Sequence, residues 1–310
     1  MSGAAGQVVV FGSLNADLTV HVDRFPEPGE TLSGSELVTA PGGKSSNQAA
    51  TVAVLGSPAR LIGAVGDDAN GRFLLGRATV AGVDVSGVTT EAEHATGSAM
   101  IVVDAAGENT IIVSPGANGA HDPDTVDAEE FADAAVVCLC LEVPLRAVQA
   151  AAEHGRAAGA QVLVNLSPYA DVPKQLLGLT DVLLVNRTEA ALVLGRDDVG
   201  EDWSTALDGL VGLGVDRAVV TLGADGSVVL DATQTGDDRI AVVDPISVEV
   251  VDTTGCGDAF TGALAHRLAG GASLAEAARF AAQVSALAAT AQGAQTSYTA
   301  FAHLKEPTRD

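Results

Sequence analysis

The chain has 310 residues, of which 47% are hydrophobic and only 3% aromatic, and this length is enough to bury one large α/β core. Its net charge of −24, from 40 acidic and 16 basic residues, argues against binding to nucleic acid or to an anionic membrane surface. An anionic ligand would therefore have to be held by a local site.

The cysteines indicate a reducing compartment. Cys138, Cys140 and Cys256 are odd in number and lack the spacing of a zinc site. The stretch 1–7 has no basic and apolar signal region, and no apolar run reaches membrane-spanning length. We expect a cytoplasmic protein.

The first half of the chain predicts a βαβ unit with two inserted β hairpins. The predicted elements are a strand at 7–11, a hairpin at 18–22 and 31–39 that Pro41-Gly42-Gly43 breaks, a helix at 44–55, a strand at 60–65, a helix at 70–81, and a hairpin at 98–104 and 109–113. We expect both hairpins to pair into one small sheet over a cleft. The insertions at about 15–41 and 96–114 would then form a lid.

From residue 134 onward strands and helices alternate, which is typical of a mostly parallel, doubly wound sheet with helices on both faces. Strands are predicted at 136–141, 161–166, 182–185 and 217–222, and helices at 144–158, near 174, at 187–194 and at 203–213. Three strands without intervening helices, at 228–231, 240–243 and 248–251, predict an antiparallel edge, and alanine-rich helices at 259–269 and 274–289 follow. We predict a single α/β domain over 1–310.

The turn Gly255-Cys256-Gly257 lies between the predicted strand at 248–251 and a helix. Backbone N–H groups at a helix N-terminus favour an anion, and a phosphate would fit there. Asp258 follows the turn, so its carboxylate could deprotonate a hydroxyl that attacks a bound phosphoryl group. A simple helix cap is the alternative role for Asp258.

Two familiar nucleotide motifs fail in this sequence. Gly43-Lys44-Ser45 resembles the end of a P-loop, but the first glycine of that motif would have to replace Val38. The turn at 255–257 resembles a dinucleotide fingerprint, but its third glycine would have to replace Phe260. A Rossmann oxidoreductase is therefore not supported.

Five motifs in order along nearly the whole chain together resemble the ribokinase (pfkB) family of sugar kinases. They lie at 12–17, 41–49, 186–189, 221–226 and 252–258, and the segments 109–118 and 141–144 resemble those of the ribose-phosphorylating members. The resemblance implies a ribokinase-like α/β fold with a small β-sheet lid. It also implies an ATP-dependent kinase that transfers the γ-phosphoryl group to the primary (5-) hydroxyl of D-ribose, giving ribose 5-phosphate.

The resemblance assigns the chemistry to named residues. Asp258 would be the catalytic base, and Gly255, Cys256 and Gly257 would form the anion hole. The residues that would bind the sugar together with Asp258 are Asn15, Asp17, Gly43, Lys44, Asn47 and Glu142. This chain has Cys256 where the family usually has alanine, and Ser45-Ser46 where it usually has glycine and alanine. The serine hydroxyls could alter sugar preference, and the thiol could be oxidisable.

Nucleotide and metal residues also follow from the resemblance. Asn186 and Glu189 would position Mg²⁺ and the phosphates, although the pair is also typical of a capping box. The ATP-binding residues would be Thr221, Gly223, Asp225, Gly226 and Gly257, with the adenine against the C-terminal helices. An activating K⁺ would be bound by Asp252, Thr254, Ala288, Ala291, Gly293 and Ser297. A turn cap is the alternative role of Asp252.

The sequence leaves the substrate open between ribose and deoxyribose, a nucleoside or another sugar. A non-catalytic sugar or nucleotide sensor on the same fold is a further alternative, against which the intact Asp258 argues. The resemblance also implies a homodimer that forms through the lid sheets, whose edges would otherwise be exposed.

Overall fold

The structure, a computed structural model, describes residues 6–304. Residues 1–5, on which part of the expectation about a signal region depends, lie outside that range. The strands are β1 (Gln7–Phe11), β2 (Asn15–His21), β3 (Val38–Gly42), β4 (Ala59–Gly66), β5 (Asp84–Glu91), β6 (Ser98–Val103), β7 (Asn109–Ser114), β8 (Ala134–Leu139), β9 (Gln161–Asn165), β10 (Val182–Asn186), β11 (Arg217–Thr221), β12 (Ser227–Asp231) and β13 (Ile240–Val243).

Helices connect these strands and close the chain. They are α1 (Lys44–Leu55), α2 (Ala69–Val80), α3 (Leu145–Ala157), α4 (Lys174–Leu179), α5 (Arg187–Val193), α6 (Trp203–Gly212), α7 (Cys256–Ala269), α8 (Leu274–Ala288) and α9 (Ala294–Ser297). Within residues 6–304, none of the helices combines the length and apolar character needed to span a membrane.

A nine-stranded sheet in the order β13-β12-β11-β10-β9-β8-β1-β4-β5 forms the centre of the molecule. It is parallel from β5 to β11, and β12 and β13 add antiparallel pairs at one edge. Helices cover both faces. Val8 and Val10 of β1 pack in the cluster that contains α1, α7 and α8, whereas Val9 and Phe11 pack in the cluster that contains α3 and α6. The predicted fold class is confirmed.

The small sheet has the order β3-β2-β6-β7, with β2 and β6 parallel and the two hairpins antiparallel, so the predicted pairing of the hairpins is confirmed. The strand predicted at 31–39 was wrong in its bounds, because the observed strand β3 begins at Val38 and runs through Pro41 to Gly42. Proline is tolerated there because β3 is an edge strand, which needs no N–H group on its open side.

Two further predictions were wrong. Residues 248–251 form no strand; this extended segment is held instead by the Val251 N–H group, which donates to the Ala289 carbonyl at 2.8 Å. Strand β5 was not predicted, because its residues are half-exposed and include Gly87 and two threonines, so it lacks the apolar run of a buried strand.

Candidate active site

The candidate site lies at the carboxyl ends of the parallel strands. Strand β1 sits between β4 and β8, so the chain proceeds first to one side of β1 and later to the other. Ligands in open α/β sheets bind in the crevice at such a switch point. The segments that follow β1, β8, β10 and β11 carry the predicted residues of the sugar and nucleotide sites, and α1 and α7 begin at the same edge.

Asp258, the predicted catalytic base, is buried at the start of α7. It lies in the first turn of α7 and is only 6% exposed. Its Oδ2 accepts a hydrogen bond from Asn47 Nδ2 at 2.9 Å, and its Oδ1 accepts one from Gln48 Nε2 at 3.2 Å. Burial raises the pKa of the Asp258 carboxyl, while the charge of Lys44 and the two amides oppose that shift. A positioned carboxylate with a raised pKa suits a general base.

Lys44 provides a positive charge beside the carboxylates of Asp258 and Glu142. Burial lowers the pKa of its ammonium, but the carboxylates of Asp258 and Glu142 together with further negative groups outweigh burial and raise the pKa above its ordinary value. Lys44 therefore stays protonated. A half-buried cation there can stabilise the negative charge that accumulates during phosphoryl transfer.

Glu142 anchors the start of α1. Its Oε2 accepts hydrogen bonds from the Ser13 hydroxyl at 2.6 Å and from the Lys44 backbone N–H at 2.9 Å. Gly43 precedes the helix with φ at 87°, and a Cβ there would lie 2.7 Å from the backbone nitrogen of Asn15. Glycine is therefore required at 43, both for its dihedral angle and for the close approach of the segment after β1.

Asp17 lies on β2, directly against Gly42 of β3, where an added Cβ would overlap its carboxylate. Among residues 6–304, no side chain or backbone group donates a hydrogen bond to this carboxylate, which leaves it available to sugar hydroxyls. Burial, followed by the charges of Glu142 and Asp258, raises the pKa of Asp17 to about 7.

Asn15 is oriented by a residue that the predicted site did not include. Asn118 Nδ2 donates to Asn15 Oδ1 at 2.8 Å and to the Leu14 carbonyl at 3.0 Å, while Asn118 Oδ1 accepts from the Leu14 N–H at 3.0 Å. The carbonyl of the Asn15 side chain is thus occupied. Its NH₂ group remains to donate to a ligand.

The glycine turn has the properties expected of an anion site. Gly255 adopts a left-handed conformation with φ at 75°, and a Cβ there would lie 2.6 Å from the Cβ of Ala294. Within residues 6–304, the N–H groups of Gly255, Gly257 and Asp258 find no acceptor, whereas the Cys256 N–H donates to the Thr253 carbonyl at 3.2 Å. The free donors are those that an anion at the helix N-terminus would bind.

The thiol of Cys256 lies at the start of α7 and is half-buried. Burial, together with the charges of Asp252 and Asp258, raises the pKa of Cys256 to about 11. A thiol that stays protonated is a poor nucleophile and oxidises slowly. The raised pKa favours the protonated form of the Cys256 thiol at neutral pH.

A cavity of about 650 Å³ extends from the glycine turn toward α8. Its lining comprises Thr221, Gly223, Ala224, Gly226, Pro245, Ile246, Ser247, Val248, Val250, Thr253, Cys256, Gly257, Phe260, Ala282, Ser285, Ala286 and Ala289. This volume and the largely apolar walls suit a small-molecule ligand such as a nucleotide base. Asp225 does not line the cavity; it is exposed on the turn beside it.

Asn186 and Glu189 form a capping box at the start of α5. The Asn186 side chain accepts from the Glu189 N–H at 2.8 Å, and Glu189 Oε2 accepts from the Asn186 N–H at 2.8 Å. The capping-box role that was the alternative for this pair is therefore present. Glu189 is nevertheless close enough for its charge to contribute to the raised pKa of Lys44.

Asp252 joins two loops. Its Oδ1 accepts from the Thr254 N–H at 2.9 Å and its Oδ2 from the Gly293 N–H at 2.8 Å. Although burial opposes the shift, these backbone donors lower the pKa of Asp252, so it is charged at neutral pH. Three predicted cation ligands, Asp252, Thr254 and Gly293, are thus in contact. Ser297 is buried, and its hydroxyl donates to the Ala294 carbonyl at 2.7 Å.

The two serines after Lys44 face protein. The Ser45 hydroxyl donates to the Phe11 carbonyl at 3.3 Å and lies 3.1 Å from Cys140 Sγ, and the Ser46 hydroxyl accepts from Gln295 Nε2 at 3.0 Å. Both side chains are buried. Any influence of these hydroxyls on sugar preference would therefore be indirect.

Three polar residues of the site were missed by sequence reasoning: Gln48, Asn118 and Gln295. Gln48 and Asn118 lie inside motifs that carried the family resemblance, and a polar side chain among small buried residues was the available signal. Gln295 offered no such signal, because its partner Asn47 is 248 positions away.

The chain is similar over nearly its whole length to known carbohydrate kinases. The family model described as "pfkB family carbohydrate kinase" matches residues 5–300. The chain is similar to the ribokinase of Schizosaccharomyces pombe, with 36% identity over 94% of each chain. It is also similar to the deoxyribokinase of Salmonella typhi, with 30% identity over 96% of this chain and 97% of the relative.

Among solved structures, the ribokinase of Arabidopsis thaliana complexed with ribose and ATP superimposes with a TM-score of 0.89. Its sequence is 32% identical, and the match covers 97% of this chain and 98% of that chain. This similarity extends over the large sheet and the small one.

Proposed function

The chain belongs to the pfkB family of carbohydrate kinases, and from that premise we propose that it transfers the γ-phosphoryl group of ATP to the primary hydroxyl of D-ribose, giving ribose 5-phosphate. The observation that carries this proposal is Asp258, a buried carboxylate held by two amides beside free N–H donors at the start of α7. Similarity to a ribokinase that binds ribose and ATP supports the choice of substrates.

The residues divide the reaction among them. The Asp258 carboxylate accepts the proton of the 5-hydroxyl as that oxygen attacks the γ-phosphorus. The bond from the γ-phosphorus to the bridging oxygen of ADP breaks. The N–H groups at Gly255 and Gly257 and the ammonium of Lys44 stabilise the charge on the transferred group. The Asp17 carboxylate and the Asn15 amide bind sugar hydroxyls and hold the 5-hydroxyl in place.

Mg²⁺ and K⁺ are proposed cofactors. The capping box uses Oε2 of Glu189, which leaves Oε1 to bind a hydrated Mg²⁺. When bound, Mg²⁺ would neutralise phosphate charge. The loops joined by Asp252 offer oxygen donors, which suit a hard cation such as K⁺. Glu189 and Asn186 would position the first ion, and Asp252 with the nearby backbone carbonyls would hold the second.

The small sheet is proposed to be both lid and dimer interface. It carries exposed apolar side chains on β3, β6 and β7, namely Val38, Met100, Ile111, Ile112 and Val113. Closure of a lid over the sugar would exclude water and limit ATP hydrolysis. We expect a dimer in sedimentation velocity and a monomer for Ile112→Lys; a monomeric parent protein would contradict the interface. The free, largely buried cysteines are consistent with the proposed cytoplasmic location.

The substrate is tested with a sugar panel. Purified protein is assayed for ADP release with Mg²⁺, ATP and either D-ribose, 2-deoxy-D-ribose, adenosine or D-fructose. Ribose should have the highest kcat/KM, and we expect a sugar lacking one hydroxyl that the site binds to lose about ten- to a hundredfold. A higher kcat/KM for another sugar would contradict ribose as the substrate. The absence of turnover with every sugar would contradict the proposed kinase activity.

A further inference from the structure

Gln295 lies on the short helix α9 and contacts the beginning of α1. Its Nε2 is 3.0 Å from Asn47 Oδ1 and 3.0 Å from Ser46 Oγ. A side-chain NH₂ group carries two hydrogens, so both bonds can be donated at once. Gln295 thereby fixes which end of the Asn47 amide points toward α9.

The orientation of Asn47 determines what Asp258 meets. With the Asn47 oxygen held by Gln295, the Asn47 nitrogen faces Asp258 and donates to Oδ2 at 2.9 Å. If the amide rotated by half a turn, its oxygen would face the carboxylate, and two acceptors would repel each other. The bond from Gln295 therefore favours the one Asn47 orientation that holds Asp258.

Asp252 holds the loop of residues 289–293, which connects α8 to α9. Its Oδ2 accepts from the N–H of Gly293, two residues before Gln295. A path thus runs from Asp252 through a hydrogen bond to Gly293, along the backbone to Gln295, and through further hydrogen bonds to Asn47 and Asp258.

We propose that Gln295 is a positioning residue that orients the base Asp258 through Asn47, and that it couples the loop held by Asp252 to the catalytic centre. This inference rests on the proposed kinase activity. It assigns no contact with substrate to Gln295, which does not line the cavity next to the glycine turn.

Two substitutions separate orientation from packing. Gln295→Leu removes the donor, so that only the repulsion between the Asn47 oxygen and Asp258 still opposes rotation of the Asn47 amide. Gln295→Glu keeps the size and shape but presents only acceptors when ionised, so it favours the rotated Asn47. If Gln295 only filled space, the isosteric glutamate would be the milder change. If Gln295 orients Asn47, the glutamate is the more harmful one.

Gln292 supplies matched controls, because it is an exposed glutamine in the loop directly before α9. The variants Gln292→Leu and Gln292→Glu introduce the same side chains at an exposed position that, among residues 6–304, makes no hydrogen bond to α1. We measure kcat and both KM values for the five proteins at pH 8 with ribose and ATP, together with thermal unfolding, and we repeat Gln295→Glu in an Asn47→Ala background.

We expect kcat to fall about tenfold in Gln295→Leu, as for one lost hydrogen bond, and by more in Gln295→Glu, with the KM for ATP unchanged. In the Asn47→Ala background, Gln295→Glu should lower kcat by less than about threefold. The inference is overturned if the parent protein is active and the Gln295 variants match their Gln292 controls, or if glutamate is milder than leucine. An inactive parent protein would instead contradict the proposed function on which the inference rests.

Discussion

Asn47 Nδ2 lies 2.9 Å from Asp258 Oδ2, and this hydrogen bond joins two helix starts that are 211 positions apart in the chain. The two helices pack against each other on one face of the large sheet. Because α1 also carries Lys44, the bond places an ammonium, an amide and a carboxylate at one point of the crevice. The chemistry proposed for this site depends on that arrangement.

The contact between Gly42 and Asp17 should govern sugar binding. In Gly42→Ala the new Cβ would overlap the Asp17 carboxylate and displace it. We expect the KM for ribose to rise about tenfold or more, with the KM for ATP within about twofold of the parent value. Steady-state kinetics with each substrate varied in turn provides the measurement.

The matched control for that change is Gly76→Ala. Gly76 lies inside α2, and nothing lies within 4 Å of the Cβ that alanine would add. Alanine in a helix interior should stabilise the fold by about 0.5–1 kcal/mol and leave both KM values unchanged. Equal kinetic effects of the two substitutions would contradict the role given to the contact between Gly42 and Asp17.

Asp17 should make both stability and sugar binding depend on pH. Its folded-state pKa of about 7 lies above its ordinary value of 3.8, so the folded protein binds the proton more tightly than the unfolded chain does. Stability therefore falls as pH rises from about 4 to 7 and is constant with respect to this group above that range. Asp17→Asn should relieve this loss while weakening ribose binding.

Urea unfolding of the ligand-free protein measures the first effect. We expect Asp17→Asn to gain on the order of 1–2 kcal/mol more relative to the parent protein at pH 8 than at pH 5, after allowance for solvent screening of a half-buried group. Calorimetry should show ribose binding to the parent protein weakening below pH 7 and no such dependence in the variant. A stability difference that is the same at both pH values would contradict the assigned pKa.

The loop held by Asp252 should respond to the monovalent cation. We expect kcat to be at least about threefold lower in NaCl than in KCl at equal ionic strength, because the larger K⁺ suits a site built mainly of carbonyl oxygens. Asp252→Asn removes the charge and replaces one of the two acceptor oxygens with an NH₂ group, so it should abolish that difference. Equal rates of the parent protein in both salts would count against a cation site.

The parts of the fold that could be predicted from sequence are those with strong local signals. Helix α1 was predicted with both of its ends from its composition, and the glycines at 43 and 56 that flank it both adopt positive φ. The buried strand β1 is a simple apolar run. By contrast, residues 248–251 have the composition of a strand but border the cavity, and no local pattern distinguishes those two roles.

In the candidate site, too, the residues with a local sequence pattern could be predicted and those without one could not. Asp258 and the glycine turn could be recognised because strand, turn and helix start are adjacent in sequence. The partners that orient the site could not, because the bonds from Gln295 to Asn47 and from Asn118 to Asn15 cross 248 and 103 positions. Only the three-dimensional packing of α9 and of the segment after β7 brings these amides to the site.

The most direct measurement of the central claim compares the parent protein with Asp258→Asn. Both are incubated with D-ribose, ATP, Mg²⁺ and K⁺, and the phosphorylated product is identified and its rate followed by phosphorus NMR. Loss of a general base costs about 10²–10⁴-fold, so we expect ribose 5-phosphate from the parent protein and at least a hundredfold slower formation by the variant, with both proteins equally folded. Turnover by Asp258→Asn at the parent rate would contradict the account.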